Sequence, residues 1–442
     1  QAASWGHSAI AITDHGVVQA FPDAYALGKK YGIKILFGLE AYLVNDKTAG
    51  SLDSSGLIDE TEYVVFDLET TGLSPLSSSI IELGAVRVRS DGTVLSELST
   101  LVGTTKSLDS RITKLTGITD EMLTDAPGLE SVIDKFAEFA QGAVLVAHNA
   151  NLDMGFLRHA FSALQRPMPD YQVLDTLVLA GNLCSHLSSY RLSSLAEEFG
   201  VPFKSHKAVD DAKVTANIFA GLVKLAADRG AETIADLDKL RENQNWMKLR
   251  PNHAIILVKN QKGLENLYRL VSSSHIKHFY RDPRVLRSEL EGYREGLILG
   301  SACESGELYR AILAGESPQR IRENASFYDF LEIQPLVNNK FLLMEINKTI
   351  YNLGKELGKP VVATGNVHFL QPQDAIFREI IQASHGYDNA DKQAPLYFHT
   401  TEEMLAECDY LGPAAEEVVI EGPALVASWV EDGIKPVPDG LF

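Results

Sequence analysis

Two acids, Asp67 and Glu69, end the run Tyr63-Val64-Val65-Phe66-Asp67-Leu68-Glu69, and Thr70-Thr71-Gly72 follows them. The apolar, β-branched and aromatic stretch predicts a buried strand, and residues two apart on a strand share one face. Asp67 and Glu69 therefore aim two carboxylates at one place. Adjacent anions repel, and burying either is costly unless a cation neutralises it. Hard divalent ions such as magnesium or manganese suit ligands that are all oxygen. Two solvated acids on an edge strand would have the same spacing. The hydrophobic run before Asp67 and the turn after Glu69 count against that alternative.

Further acids lie far along the chain. His148-Asn149-Ala150-Asn151-Leu152-Asp153 follows a short apolar run over 143–147 and leads into a helical pattern over 154–164. Asp153 thus falls in a first helical turn, where the helix dipole favours an anion. His206-Lys207-Ala208-Val209-Asp210-Asp211 precedes another helix, expected over 212–227. Five residues of helix are about 500° of rotation, so His206 and Asp211 cannot share a helical face. His206 is expected on the loop, with Asp211 on the helix itself. Asp67, Glu69, Asp153 and Asp211 together can balance two divalent cations. Two ions roughly 4 Å apart can clamp a phosphodiester, one activating water and the other steadying the leaving oxygen. A histidine titrating near neutrality can take the proton from that water, which makes His206 the candidate base.

The three elements, Asp67-x-Glu69, His148-Asn149-x-x-x-Asp153 and His206-x-Ala208-x-x-Asp211, resemble in order and spacing the DEDDh exonucleases. Ile112-Thr113-Lys114-Leu115-Thr116-Gly117-Ile118-Thr119 is similar to that family as well, and the resemblance covers roughly residues 60–228. It implies an RNase H-like fold, a mixed sheet flanked by helices. It also implies 3′→5′ removal of nucleotides from a single-stranded or frayed end, with two Mg2+ or Mn2+ ions. The family spacing selects Asp211 over Asp210, which is read as a solvated acid. It places Thr70 and Leu73 against the terminal nucleotide. His148 and His159 are read as structural, His148 as orienting the Asp153 turn. An RNA-directed nuclease of the same type remains an alternative, because the contacts that distinguish ribose are not legible in the string.

The elements around these motifs alternate. Strands are predicted over 7–13, 33–44, 80–88 and 95–102, and helices over 21–31, 130–139 and 192–199. A polar stretch over 45–62 reads as a linker, and a charged helical piece spans 233–246. Further strands are predicted over 254–258, 297–301, 330–333 and 360–364. The βαβ pattern over 7–44 favours a parallel sheet, and βα alternation resumes from 254.

The outer segments, about 1–55 and 235–442, resemble the PHP (polymerase and histidinol phosphatase) family, with the exonuclease-like segment 56–230 inserted between them. Thr13-Asp14-His15, Gly38-Leu39-Glu40, the His253 segment, Gly300-Ser301-Ala302-Cys303 and Gly365-Asn366-Val367-His368 carry the likeness. It implies a (β/α)7-type barrel with metals held by His15, Glu40, His253, Cys303 and His368. Nitrogen, sulfur and carboxylate donors suit zinc or manganese. All but His253 follow or end a predicted strand, as barrel sites require; His253 starts one. The family's first His-x-His element is not found, and Asn366 stands where hydrolytic members have an acid. A depleted site and a scaffold role are therefore expected. A PHP phosphoesterase or pyrophosphatase, or a non-catalytic module, are the competing readings. The nested arrangement resembles a family of bacterial replicative DNA polymerases. It implies a piece that begins inside the PHP domain and stops before the polymerase palm, so that it would not polymerise. The implied partners are a DNA 3′ end, downstream polymerase domains and replisome components such as a sliding clamp.

The 442 residues suffice for two or three domains. A hydrophobic share of 45% with 22% charged residues is that of an ordinary globular protein. There is no apolar run long enough to span a bilayer and no charged-then-apolar leader, so neither a membrane partner nor secretion is expected. Three scattered cysteines argue for a reducing, cytoplasmic setting. A net charge of −19 opposes phosphate binding. It calls for metal-neutralised acids, or for a nucleic-acid grip supplied from elsewhere.

Overall fold

The first elements are β1 (Ala9–Ile12), α1 (Phe21–Tyr31) and β2 (Lys34–Val44), with β1 and β2 parallel. α1 starts with a proline in its first turn and stops at Gly32, whose φ of 66° suits the left-handed helix end. The computed structural model describes residues 1–46, 56–203, 207–240, 246–247, 249–335, 340–384 and 395–437. The chain divides into two units, one of 1–45, 250–312 and 318–442, the other of 46–249 and 313–317.

The second unit contains β3 (Tyr63–Thr70), β4 (Ile80–Val88) and β5 (Val94–Leu101), then α2 (Leu129–Phe139) and β6 (Val144–Ala147). α3 (Ala150–Ala163), β7 (Val173–Asp175) and α4 (Ala208–Ala227) complete its frame. The sheet order is β5-β4-β3-β6-β7, antiparallel through β5, β4 and β3 and parallel from β3 to β7. This mixed sheet with helices on both faces is RNase H-like. Alternation along β3 builds two cores. Tyr63 and Val65 pack with Ala212, Ile218, Phe219 and Leu222 of α4. Val64, Phe66 and Leu68 pack with Phe136 of α2 and Phe156 and Leu157 of α3. Each such fully buried large side chain contributes about 1.5–3 kcal/mol.

In the first unit the chain continues through β8 (Asn252–Val258), α5 (Gln261–Ile276), β9 (Phe279–Tyr280), β10 (Asp282–Leu286) and β11 (Leu297–Gly300). β12 (Leu331–Ile333), α6 (Lys340–Leu357) and β13 (Val361–Ala363) follow. One sheet has the order β11-β8-β2-β10-β9, with β1 also on β2. β12 and β13 form a parallel pair, joined to β11 by a bridge between Gly300 and Phe330. The parallel pairing expected over 7–44 is that of β1 and β2, but it does not extend to the resumed alternation: β8 runs antiparallel to β2, and β11 antiparallel to β8. β8 is reached from the intervening unit rather than through a crossover helix, so the rule that makes βαβ neighbours parallel does not govern it. Among the described residues these pairings form a row with two ends. Among the described residues no helix is long and apolar enough to cross a membrane.

Candidate functional site

Asp67 and Glu69 continue the face of β3 that carries Tyr63 and Val65, the face covered by α4. On α4, Asp211 precedes the inward stripe of Ala212, Thr215, Ile218, Phe219 and Leu222 and is only 8% exposed, whereas Asp210 is exposed. Carboxylate oxygens of Asp67, Glu69 and Asp211 lie within 4.8 Å of one another. Two residues on β4 set that approach. The Glu82 carboxylate accepts the Ala208 N–H at 3.1 Å, so an anion meets the start of α4. Gly84, opposite Asp67 in the register, lies so close to the helix that a Cβ would stand 2.0 Å from the Val209 nitrogen. α4 therefore starts at Ala208, four residues before the apolar pattern predicted.

Asp153 reaches the site from the other core. It is 5% exposed, and its carboxylate accepts the Leu68 N–H, between Asp67 and Glu69. β6 pairs with β3 only over Tyr63–Val65, which leaves the Leu68 amide clear of that ladder. Asp153 is not one of the three acids that cluster within 4.8 Å, but its charge acts on Asp67. α3 starts at Ala150 after Asn149, which takes a left-handed φ of 63°. Asp175 holds this turn: its carboxylate accepts the Asn149 and Ala150 amides at 3.0 Å each and the Leu177 amide at 2.9 Å. The orienting role expected of His148 thus falls to Asp175. His148 Nδ1 instead contacts the Thr176 hydroxyl at 3.0 Å, and burial lowers its pKa to about 4. His159 is on the exposed side of α3. His206 lies outside the described residues.

The acids load one another. Burial, then the charges of Asp153, Glu69 and Asp211, hold the Asp67 carboxyl well above the usual range. Burial, then Asp211 and Glu82, raise Glu69 to about 7. Burial also raises Asp153 and Glu82, the latter against the Ala208 amide. Such a cluster is comfortable only when protonated or when it holds cations, and its all-oxygen donors fit hard divalent ions. At its rim, the register shifts between Glu69 and Thr70, the Thr70 hydroxyl donates to the Gly72 carbonyl at 2.8 Å, and Leu73 is 81% exposed. Sequence reasoning missed Glu82, Gly84 and Asp175. The available signal was an acid inside or at the end of an apolar strand run, at Ile81-Glu82-Leu83 and Val173-Leu174-Asp175.

A second cluster belongs to the other unit. His15, Glu40 and His253 bring ligand atoms within 4.8 Å of one another. His253 Nδ1 is 2.6 Å from Glu40 Oε1, and His15 Nε2 is 3.6 Å from Oε2. Cys303 Sγ donates to Glu40 Oε1 at 3.5 Å and lies 3.3 Å from His253 Nδ1. The awkward position of His253 at a strand start is resolved by β8 being antiparallel: its beginning pairs with the end of β2. Burial pushes Glu40 up, but the hydrogen bond from His253 and the histidine charges more than offset it, leaving Glu40 below its ordinary value. Burial, then the Glu40 charge, raise the Cys303 thiol to about 12. The His368 ring stacks on His15 with centroids 6.1 Å apart, at the exposed rim. Nitrogen, sulfur and oxygen donors together fit zinc or manganese.

Residues 64–219 match the family model described as Exonuclease. Over the whole chain, identity is 45% to a DNA polymerase III PolC-type of Clostridium perfringens and 47% to that of Caldanaerobacter subterraneus. The chain covers 31% and 32% of those proteins, so it spans about a third of the length of the curated relatives it matches. A solved structure, "Exonuclease X in complex with 5′ overhanging duplex DNA", is 24% identical and covers 40% of this chain and 99% of that one, with a TM-score of 0.32.

Proposed function

Because the chain is related over its full length to PolC-type DNA polymerase III and carries an exonuclease domain over 64–219, we propose that it is the proofreading 3′→5′ exonuclease part of a replicative polymerase. The observation that carries this is the meeting of Asp67, Glu69 and Asp211 within 4.8 Å, beside the buried Asp153. Asp67, Glu69, Asp153 and Asp211 would hold two Mg2+ or Mn2+ ions, which supply charge neutralisation and a more acidic water when bound. The Leu68 amide and the Ala208–Glu82 contact keep Asp153 and Asp211 aimed at β3. His206 takes the proton of the attacking water, and the 3′-oxygen of the penultimate nucleotide leaves. Thr70 and the exposed Leu73 contact the terminal nucleotide. The other unit serves as a PHP-type scaffold, a (β/α)7-type barrel in which β8 runs against its neighbours, whose His15, Glu40, His253, Cys303 and His368 would hold zinc or manganese. The substrate is a frayed DNA 3′ end. The downstream polymerase domains and a sliding clamp are the partners of the whole assembly.

The test is digestion of a 3′-labelled, mismatched DNA in Mg2+ or Mn2+, with short RNA alongside. Parent activity that Asp67→Ala and Asp211→Ala abolish, with DNA preferred, supports the proposal. Hydrolysis that survives Asp67→Ala but disappears in His15→Ala would place the chemistry in the second cluster, as a PHP phosphoesterase.

A further inference from the structure

The second cluster has an acid that its motifs do not announce. His15 bridges to Glu40, Glu40 pairs with Ile255, Ile255 with Gly300, and Gly300 bridges to Phe330. Residues directly opposite on neighbouring strands share a face, and so do residues two apart on one strand. His15, Glu40, His253, the missing side chain of Gly300, and Glu332 therefore all face one way. Gly300 leaves a space on that face that the Phe330 ring and the Glu332 carboxylate share: a Cβ at Gly300 would stand 2.3 Å from Phe330 Cζ and 2.6 Å from Glu332 Oε1.

Glu332 is only 4% exposed. Its Oε2 accepts the Thr364 hydroxyl at 3.0 Å, and its own amide donates to Ser301 Oγ at 2.9 Å. The Ala302 backbone also hydrogen-bonds the carboxylate, but Oε1 is buried and within ordinary hydrogen-bond geometry finds no partner among the described residues. The Glu332 charge acts on Cys303, and that of Glu40 acts on Glu332. One oxygen held by a hydroxyl and the other unpartnered, on the face that carries His15, Glu40 and His253, is how a metal-bound carboxylate is oriented. A buried acid without a partner for that oxygen is costly otherwise.

We propose that Glu332 supplies a second carboxylate to a divalent ion such as Zn2+ held by His15, Glu40, His253 and Cys303. It would do what Asn366, a neutral amide, cannot. The inference rests on the metal reading of this cluster given above.

The test is calorimetric titration of the full chain with Zn2+, in an Asp67→Ala/Asp211→Ala background that removes binding by the first cluster. Glu332→Gln keeps the shape and an acceptor for Thr364 but loses the charge, and is expected to weaken Zn2+ binding about 10–100-fold. Thr364→Val, which leaves the carboxylate but not the hydrogen bond that aims it, is expected to give a smaller loss. It decides the matter if Glu332→Gln does not fold by circular dichroism. Zn2+ uptake that His15→Ala and His253→Ala remove, but that Glu332→Gln or Thr364→Val leaves at parent affinity, overturns this inference alone. A parent that takes up no Zn2+, or takes it up regardless of His15 and His253, overturns the metal reading of the cluster itself.

Discussion

Glu69 and Glu82 stand directly opposite one another in the antiparallel register of β3 and β4. Like charges in that position destabilise a sheet. Here the two carboxylates serve different partners. Glu82 turns to the amide that opens α4, and Glu69 joins Asp67 and Asp211.

Glu82→Ala would leave the buried Ala208 amide without its acceptor, at a cost of about 1–3 kcal/mol. Glu82→Gln keeps an acceptor, removes the opposed charge and is expected to be close to neutral. Urea unfolding of the two variants checks this. Equal stability of Glu82→Ala and parent would show that α4 needs no anchor on β4.

Glu69 is raised to about 7 from an ordinary 4.5. Between those values the folded chain holds a proton that the unfolded chain has released. Stability of the metal-free protein therefore falls as pH rises through that window, and the loss is complete above about 7. Glu69→Gln is expected to flatten this part of the profile. Mg2+ or Mn2+ should restore the urea midpoint most strongly at the alkaline end. A parent and Glu69→Gln pair with parallel pH profiles in EDTA would refute the assignment.

Asp67 is burdened by burial and by four neighbouring acids. Asp67→Asn is expected to leave the metal-free protein at least as stable as the parent while lowering nuclease activity by roughly 100-fold or more. Thermal unfolding in EDTA, paired with digestion of a labelled 3′ end, reads both quantities. A marked loss of stability with activity retained is the contrary outcome.

Gly84 has no room for a methyl group, since backbone atoms of Ala208 and Val209 would lie 2.2 Å and 2.0 Å from it. Gly84→Ala is expected to cost about 1–3 kcal/mol or more, because backbone rather than a flexible side chain must move. The displaced helix carries Asp211, so activity should fall further than the stability loss explains. Nuclease rates measured well below the unfolding midpoint separate the two effects.

The Asp67 and Glu69 pair was legible because strand period places residues two apart on one face, and β3 keeps that period from Tyr63 to Thr70. α1 and β4 match their predicted spans for the same reason: their signals lie within a few consecutive residues. The starts of α3 and α4 were misjudged. Their first residues, Ala150 and Ala208, are held by carboxylates of Asp175 and Glu82 that come from distant strands. The direction of β8 was misjudged because alternation tells which face is buried and says nothing of which way a neighbour runs.

By itself the sequence determined the acids, the faces they occupy within each element, and the two sets of motifs. Only the tertiary structure decided that Glu82 and Gly84 admit α4, that Asp175 holds the Asn149 turn, and that Glu332 and the Phe330 ring share the space left by Gly300. Periodicity is a property of neighbouring residues, whereas each of those three depends on a partner that chain folding brings from many residues away.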